Sequence, residues 1–129
     1  MTDRRRRRPL TAVVAGAWLG NGLYAKLLGR VPRHERIVAR VLGPAYAAPL
    51  TRAIGAGEVA LAAWIVGGAH PRTTAALQVG LVATMNALEA ARARDLLLWG
   101  RTNAAFAAAF CALAWWHGQL GDDLAGAAR

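Results

Sequence analysis

A set of seven ionisable or amide side chains within the long apolar stretches of this chain could carry chemistry, because polar groups are least expected there. They are Asn21, Lys26, Glu58, Gln78, Asn86, Glu89 and Asn103. Polar groups are costly in a bilayer core, and they usually face a bundle interior or a cavity. We predict a candidate site for a ligand or a proton from five of these residues, called here the polar set: Asn21, Lys26, Glu58, Asn86 and Glu89.

Glu58 and Glu89 are the members of the polar set best suited to chemistry. Two carboxylates in a low-dielectric bundle both stay ionised only where cations reach them. The cations within reach in the sequence are Lys26, Arg52, Arg92 and Arg94. In a functional interpretation the carboxyls relay protons or form the polar end of a ligand pocket, and the amides orient the bound group. In a structural interpretation they join helices and bind no ligand.

Other catalytic and metal-binding patterns are missing from the sequence. Cys111 is the single cysteine and there is no serine, which excludes internal disulfides, cysteine-type zinc sites and a serine nucleophile. No two histidines have metal-ligand spacing on one predicted element, and there is no P-loop or G-x-G-x-x-G string. We predict no metal site and no evident cofactor, and these residues favour a non-catalytic protein.

The apolar stretches have the length of transmembrane helices. A bilayer core of about 30 Å needs about 20 apolar residues in a helix. Four stretches of this kind occupy residues 10–28, 50–67, 73–91 and 103–120. The sequence therefore predicts an all-α fold, a four-helix transmembrane bundle, in one domain over residues 10–120. A basic tail, residues 1–9, precedes this domain, and a polar, loosely ordered tail, residues 121–129, follows it.

A short amphipathic helix is predicted on the membrane surface between the first two spans. Pro32 can open this helix and Gly43-Pro44 can close it. Its apolar residues share one side and its arginines the other. We expect the polar side to contact phosphate headgroups through Arg33, His34, Arg36 and Arg40. Two other roles for His34 are contact with the edge of a bound ligand and proton donation at the rim of the bundle.

The charge balance favours a membrane over a nucleic acid. The net charge is +9, and fifteen of the sixteen basic residues are arginines. These arginines flank the apolar stretches, which is where membrane proteins place cations. Basic residues are nearly balanced between the two predicted sides, so orientation depends on the run Arg4–Arg8, which indicates cytoplasmic termini.

Several polar strings in apolar context resemble the DoxX-like family of small four-helix membrane proteins. They are NGLYAKLL at 21–28, VPRHERIV at 31–38, IGAGEV at 54–59, MNALE at 85–89 and ARDLLL at 93–98. The resemblance covers residues 12–115 and implies a four-helix bundle in the inner membrane. It also implies a link to membrane redox complexes, because the family name comes from a subunit of a membrane thiosulfate:quinone oxidoreductase.

These observations predict a small non-catalytic subunit or scaffold of a quinone-linked membrane redox system. Quinone is the candidate ligand, and the expected partners are the lipid bilayer and a membrane or peripheral redox enzyme. One alternative is a homo-oligomeric bundle that conducts protons or a small solute. Another is a structural membrane protein with no ligand. The expected location is the cytoplasmic membrane, with several spans.

Overall fold

A computed structural model describes residues 2–97 and 100–129 of the chain. All regular secondary structure in these two ranges is helical, which confirms the all-α prediction. Met1, Leu98 and Trp99 lie outside the described residues. They belong to the predicted N-terminal tail and to the segment before the last predicted span.

The described residues form five α-helices, three short 3₁₀ turns and one π-helical segment. The α-helices are α1 (Asp3–Leu19), α2 (Pro32–Leu42), α3 (Ala47–Gly67), α4 (Pro71–Arg92) and α5 (Asn103–Ala127). The π-helical segment continues α1 without a break over Gly20–Leu27. The 3₁₀ turns are Pro44–Tyr46, Arg94–Leu96 and Gly100–Thr102.

The order of long and short helices follows the sequence prediction, but their membrane character differs among them. Among the described residues, one helical stretch, Pro44–Gly67, is long and apolar enough to cross a membrane by length and composition alone. The first predicted span is divided between α1 and the π-helical segment. Polar side chains such as Gln78 and Glu89 lower the hydropathy of α4. The number of spans is therefore part of the proposal below.

Both ends of the chain are more helical than the sequence predicts. Helix α1 begins at Asp3 and so contains the arginine run. Helix α5 continues to Ala127, and the prediction of a loosely ordered C-terminal tail is wrong for residues 121–127. Tertiary contacts explain this extension, because Gly121 packs against Pro71 and Asp122 forms an ion pair of 3.1 Å with Arg72.

The apolar core lies where α1 crosses α3 and α5. Val14 and Trp18 of α1 are buried against Leu61 and Ile65 of α3. The Trp18 ring meets Phe110 edge-on, with ring centroids 5.9 Å apart. These contacts set the position of α1 in the bundle and thereby position the π-helical segment that follows it, which carries Asn21 and Lys26.

Gly22 and Gly55 bring the π-helical segment and α3 into backbone contact. A Cβ added to Gly22 would lie 2.6 Å from the Gly55 carbonyl oxygen, and one added to Gly55 would lie 2.8 Å from the Gly22 oxygen. Small residues permit this close approach of helices. The next turn of each element then places Lys26 opposite Glu58, and π-helical segments are frequent at functional sites.

Replacing Gly22 with alanine is expected to lower the free energy of unfolding by about 1–3 kcal/mol, because the added methyl group meets backbone atoms that cannot move aside. Gly16→Ala is the matched control, since a Cβ at Gly16 has no atom within 4 Å. Denaturant unfolding in detergent, followed by circular dichroism, measures both variants. Equal stability of the two variants would contradict the backbone contact.

Candidate functional site

A cavity of about 330 Å³ lies inside the bundle and receives side chains from all five helices. We call it the central cavity. Its apolar wall contains Trp18, Val82, Met85, Phe106 and Phe110. Its polar lining consists of Asn21, Lys26, Arg33, His34, Glu58, Asn86, Glu89 and Asn103. A volume of this size falls within the range of small-molecule sites, about 300–1,000 Å³.

The structure brings the whole polar set to this cavity. Asn21, Lys26, Glu58, Asn86 and Glu89 all line it, although they come from three different elements and are up to 68 residues apart in the sequence. Their part in binding or proton transfer remains a prediction. Gln78 does not line the cavity. It is fully buried, and its Oε1 accepts a hydrogen bond of 2.9 Å from Trp18 Nε1.

Lys26 and Glu58 form a buried ion pair in the cavity wall. Lys26 Nζ donates to both carboxylate oxygens of Glu58, each at 2.9 Å. The two side chains are 3% and 5% exposed. Burying two charges costs desolvation energy, and the pair repays it only with good geometry, which a symmetric two-oxygen contact provides. Lys26 is therefore the cation that neutralises Glu58.

Glu89 is in a different situation from Glu58. Its carboxylate is half-buried at the cavity wall and makes no hydrogen bond or ion pair with another residue in the part of the chain that the structure describes. The positive charges of Arg33 and Lys26 act on it electrostatically. Glu89 thus keeps its oxygens available to a bound molecule, whereas those of Glu58 are occupied by Lys26.

An amide pair joins α4 and α5 beside Glu89. Asn103 Nδ2 donates a hydrogen bond of 2.7 Å to Asn86 Oδ1. This contact leaves the Asn86 amide N–H groups and the Asn103 carbonyl oxygen for other partners. Asn103 is one of the seven polar residues singled out in the sequence, but it is not a member of the five-residue polar set. Like those five residues, it is a polar residue within an apolar stretch. Its pairing with Asn86 depends on how α4 and α5 pack.

The four predicted headgroup contacts of α2 divide into two groups. Arg36 and Arg40 are exposed, and Arg40 forms an ion pair of 2.8 Å with Asp95. Arg33 and His34 instead line the central cavity, whereas the sequence predicted them on the membrane surface. The first turn of α2 covers the polar end of the cavity, and this position explains the difference.

His34 is a neutral side chain at the rim of the cavity. Burial, together with the positive charges of Lys26 and Arg33, lowers the pKa of His34 to about 4. The imidazole is therefore uncharged at neutral pH, with one nitrogen that donates a hydrogen bond and one that accepts it. It can serve an uncharged oxygen-bearing group in either role.

Comparison with known proteins places the chain in a family. The DoxX-like family matches residues 15–116, which is most of the chain. The chain belongs to the DoxX-like family. The resemblance predicted from the polar strings is thereby confirmed, and membership indicates a small membrane protein. No curated protein and no solved structure gives a significant match.

The central cavity lies entirely within the matched region of this DoxX-like protein, since its lining runs from Ala17 to Phe110. Its polar lining supplies N–H donors from Lys26, His34 and the asparagines, and a carboxylate acceptor from Glu89. The rest of the lining is apolar and includes the aromatic rings of Trp18, Phe106 and Phe110. The arrangement can hold a small molecule with a flat apolar body and oxygen atoms at its edge.

Proposed function

We propose that this DoxX-like protein is a four-span protein of the cytoplasmic membrane that binds a quinone headgroup in its central cavity. We further propose that it serves as a non-catalytic subunit of a membrane redox system, with both termini in the cytoplasm. The lipid bilayer and a redox enzyme are then its partners. The structural alternative, a bundle held together by polar contacts with no ligand, is what the experiments below must exclude.

The outer surface supports the four-span part of the proposal. Large apolar side chains are exposed on all four long helices, among them Val13, Val66, Leu88 and Trp115. Soluble monomers rarely expose large apolar patches, so exposed apolar side chains on every long helix favour a membrane environment. Helices α4 and α5 have 22 and 25 residues, and a rise of about 1.5 Å per residue makes either long enough for a hydrocarbon core of about 30 Å.

The Glu89 carboxylate, which has no hydrogen-bond or ion-pair partner among the described residues, is the observation that carries the quinone proposal. A quinone has two carbonyl oxygens that accept hydrogen bonds, and its reduced form has two hydroxyl groups that donate them. Glu89 can accept from such a hydroxyl, while the neutral His34 and the Asn86 amide can donate to a carbonyl. Trp18 and Phe110 offer aromatic surface to the ring.

The side chains around the cavity suit an accessory subunit, because they can bind a ligand without transferring electrons. They can bind and orient the headgroup, and Glu89 can hold or release a proton at a carboxylate oxygen. We assign the transfer of electrons to the partner enzyme. The alternative of a proton-conducting oligomer would use the same carboxylate, so proton flux into liposomes, with and without Glu89, distinguishes it from quinone binding.

Replacing Glu89 with glutamine is expected to lower the quinone content of the purified protein about tenfold, because a charge-assisted hydrogen bond contributes about 1.5–3 kcal/mol. The measurement is extraction of protein purified in mild detergent, followed by mass spectrometry of the quinones per mole of protein. Folding should be unchanged by circular dichroism, since Glu89 has no partner to lose among the described residues.

Glu35→Gln is the matched control for this experiment. Glu35 is an exposed residue of α2 that does not line the cavity, so the substitution makes the same change of charge outside the site. It should retain the wild-type quinone content. Equal quinone content in wild type, Glu35→Gln and Glu89→Gln, or no quinone in any of them, would favour the structural alternative.

A further inference from the structure

A second cavity, of about 480 Å³, lies at the end of the bundle that carries both termini. It lies between the first turns of α1, the end of α3 and the last turns of α5. Arg4, Arg7 and Arg8 line it. Because these residues are three and four positions apart, they share one face of α1. We call this hollow the arginine cavity. Its α1 and α5 residues lie outside the region that the family comparison matches, whereas Val66 and Gly68 lie within it.

The Arg7 guanidinium lies against two glycines, Gly121 and Gly68. A Cβ at Gly121 would lie 2.8 Å from Arg7 Nη2 and 2.9 Å from Nε, and a Cβ at Gly68 would lie 3.6 Å from Nη1. The guanidinium therefore occupies space that a larger residue at Gly121 would fill. Its buried Nε has no hydrogen-bond partner. Since buried N–H groups are nearly always paired, this donor indicates a missing acceptor.

The charges of the arginine cavity are not neutralised by the protein. No acidic residue lines it, and Arg4, Arg7 and Arg8 form no ion pair within the described ranges 2–97 and 100–129. Asp122, on the neighbouring turn of α5, is paired with Arg72. Three guanidinium groups therefore surround one hollow with no anion, and guanidinium matches the geometry of phosphate oxygens closely.

We infer that the arginine cavity binds the phosphate group of an anionic phospholipid. Its place at the end of the long helices is the depth of the headgroups in a membrane-embedded bundle. Its lining also includes the apolar Leu124 and Val66, the latter at 67% exposure, which suits the glycerol and acyl part of a lipid better than a free phosphate ion. The inference does not depend on what occupies the central cavity.

Binding of phosphatidylglycerol and of phosphatidylcholine to the delipidated full chain in detergent tests this inference, with native mass spectrometry as the measurement. The double variant Arg4→Gln/Arg8→Gln should bind phosphatidylglycerol about tenfold more weakly than the control Arg5→Gln/Arg6→Gln. Both doubles remove two charges from the first two turns of α1, but Arg5 and Arg6 do not line the cavity. All four side chains are exposed, so neither double should unfold the protein.

Two further comparisons complete the test. Arg4→Lys/Arg8→Lys keeps the charge and should still lose several-fold, because an ammonium group meets phosphate as a point charge. Equal losses in the two glutamine doubles would overturn the inference, since they indicate general electrostatic attraction. No preference for phosphatidylglycerol over phosphatidylcholine in the wild type would also overturn it. Full competition by millimolar inorganic phosphate would do the same, because it identifies a free ion as the occupant.

Discussion

Replacing Lys26 with methionine is expected to lower the free energy of unfolding by about 3–5 kcal/mol. The substitution removes the ammonium that contacts both Glu58 oxygens at 2.9 Å and leaves a carboxylate that is 5% exposed without its counter-charge. Methionine has nearly the length of the lysine stem, so little packing is lost. The loss of stability then reports the unpaired charge, and denaturant unfolding in detergent measures it.

The double variant Lys26→Met/Glu58→Leu should recover most of this loss. An apolar pair of similar volume often replaces a buried ion pair at no cost, because neither charge then has to leave water. Arg40→Met is the control, since its pair with Asp95 is exposed and should contribute at most about 1 kcal/mol. The single variant Glu58→Leu completes the cycle. If the loss of stability in the double variant equals the sum of the losses in Lys26→Met and Glu58→Leu, the two side chains do not stabilise each other.

This ion pair changes how the two carboxyls are to be understood. From the sequence, Glu58 and Glu89 were equivalent candidates for a relay, a ligand or an interhelical contact. In the structure Glu58 has two hydrogen bonds to Lys26, while Glu89 has no partner among the described residues. We therefore propose that Glu58 stabilises the bundle and that Glu89 contacts the ligand. Substituting both at once would mix the two effects.

The sequence predicted the helices well because their signals are local. Apolar length and the punctuation at Pro32, Gly43 and Pro71 lie within a few residues of each helix end, and the structure begins α2 at Pro32 and α4 at Pro71. The structure also places the five residues of the polar set along one cavity, and their role in binding or proton transfer stays a prediction. Polar side chains cost free energy when they face lipid, so those within membrane helices usually face the interior of the bundle.

The pairing within the set could not be read from the sequence. Four cations were available to Glu58, and the choice of Lys26 depends on the contact between Gly22 and Gly55 and on the π-helical turn that carries Lys26. Neither the crossing point of two helices nor a π-helical turn has a distinct residue pattern. The inward turn of His34 likewise depends on where α2 packs against α4, which is a tertiary contact.

Filling the central cavity is expected to abolish ligand binding without altering any polar residue. Ala107 of α5 lines the cavity, and a phenylalanine in its place would put a ring where we propose the quinone lies. Ala107→Phe should lower the quinone content more than the roughly tenfold loss expected for Glu89→Gln. The reason is that it removes the space for the quinone ring, whereas Glu89→Gln removes one hydrogen bond. Stability should be kept or rise by about 0.5–2 kcal/mol, as in other cavity-filling substitutions.

Ala108→Phe is the matched control for this variant. Ala108 is the next residue of α5, is exposed and does not line the cavity, so its ring would point away from the site. It should keep the wild-type quinone content, measured by the same extraction and mass spectrometry. A folded Ala107→Phe protein that keeps its quinone would place the ligand elsewhere on the bundle. Loss of quinone in Ala107→Phe alone would establish the cavity as its site, because the two variants differ only in the face of α5 that carries the ring.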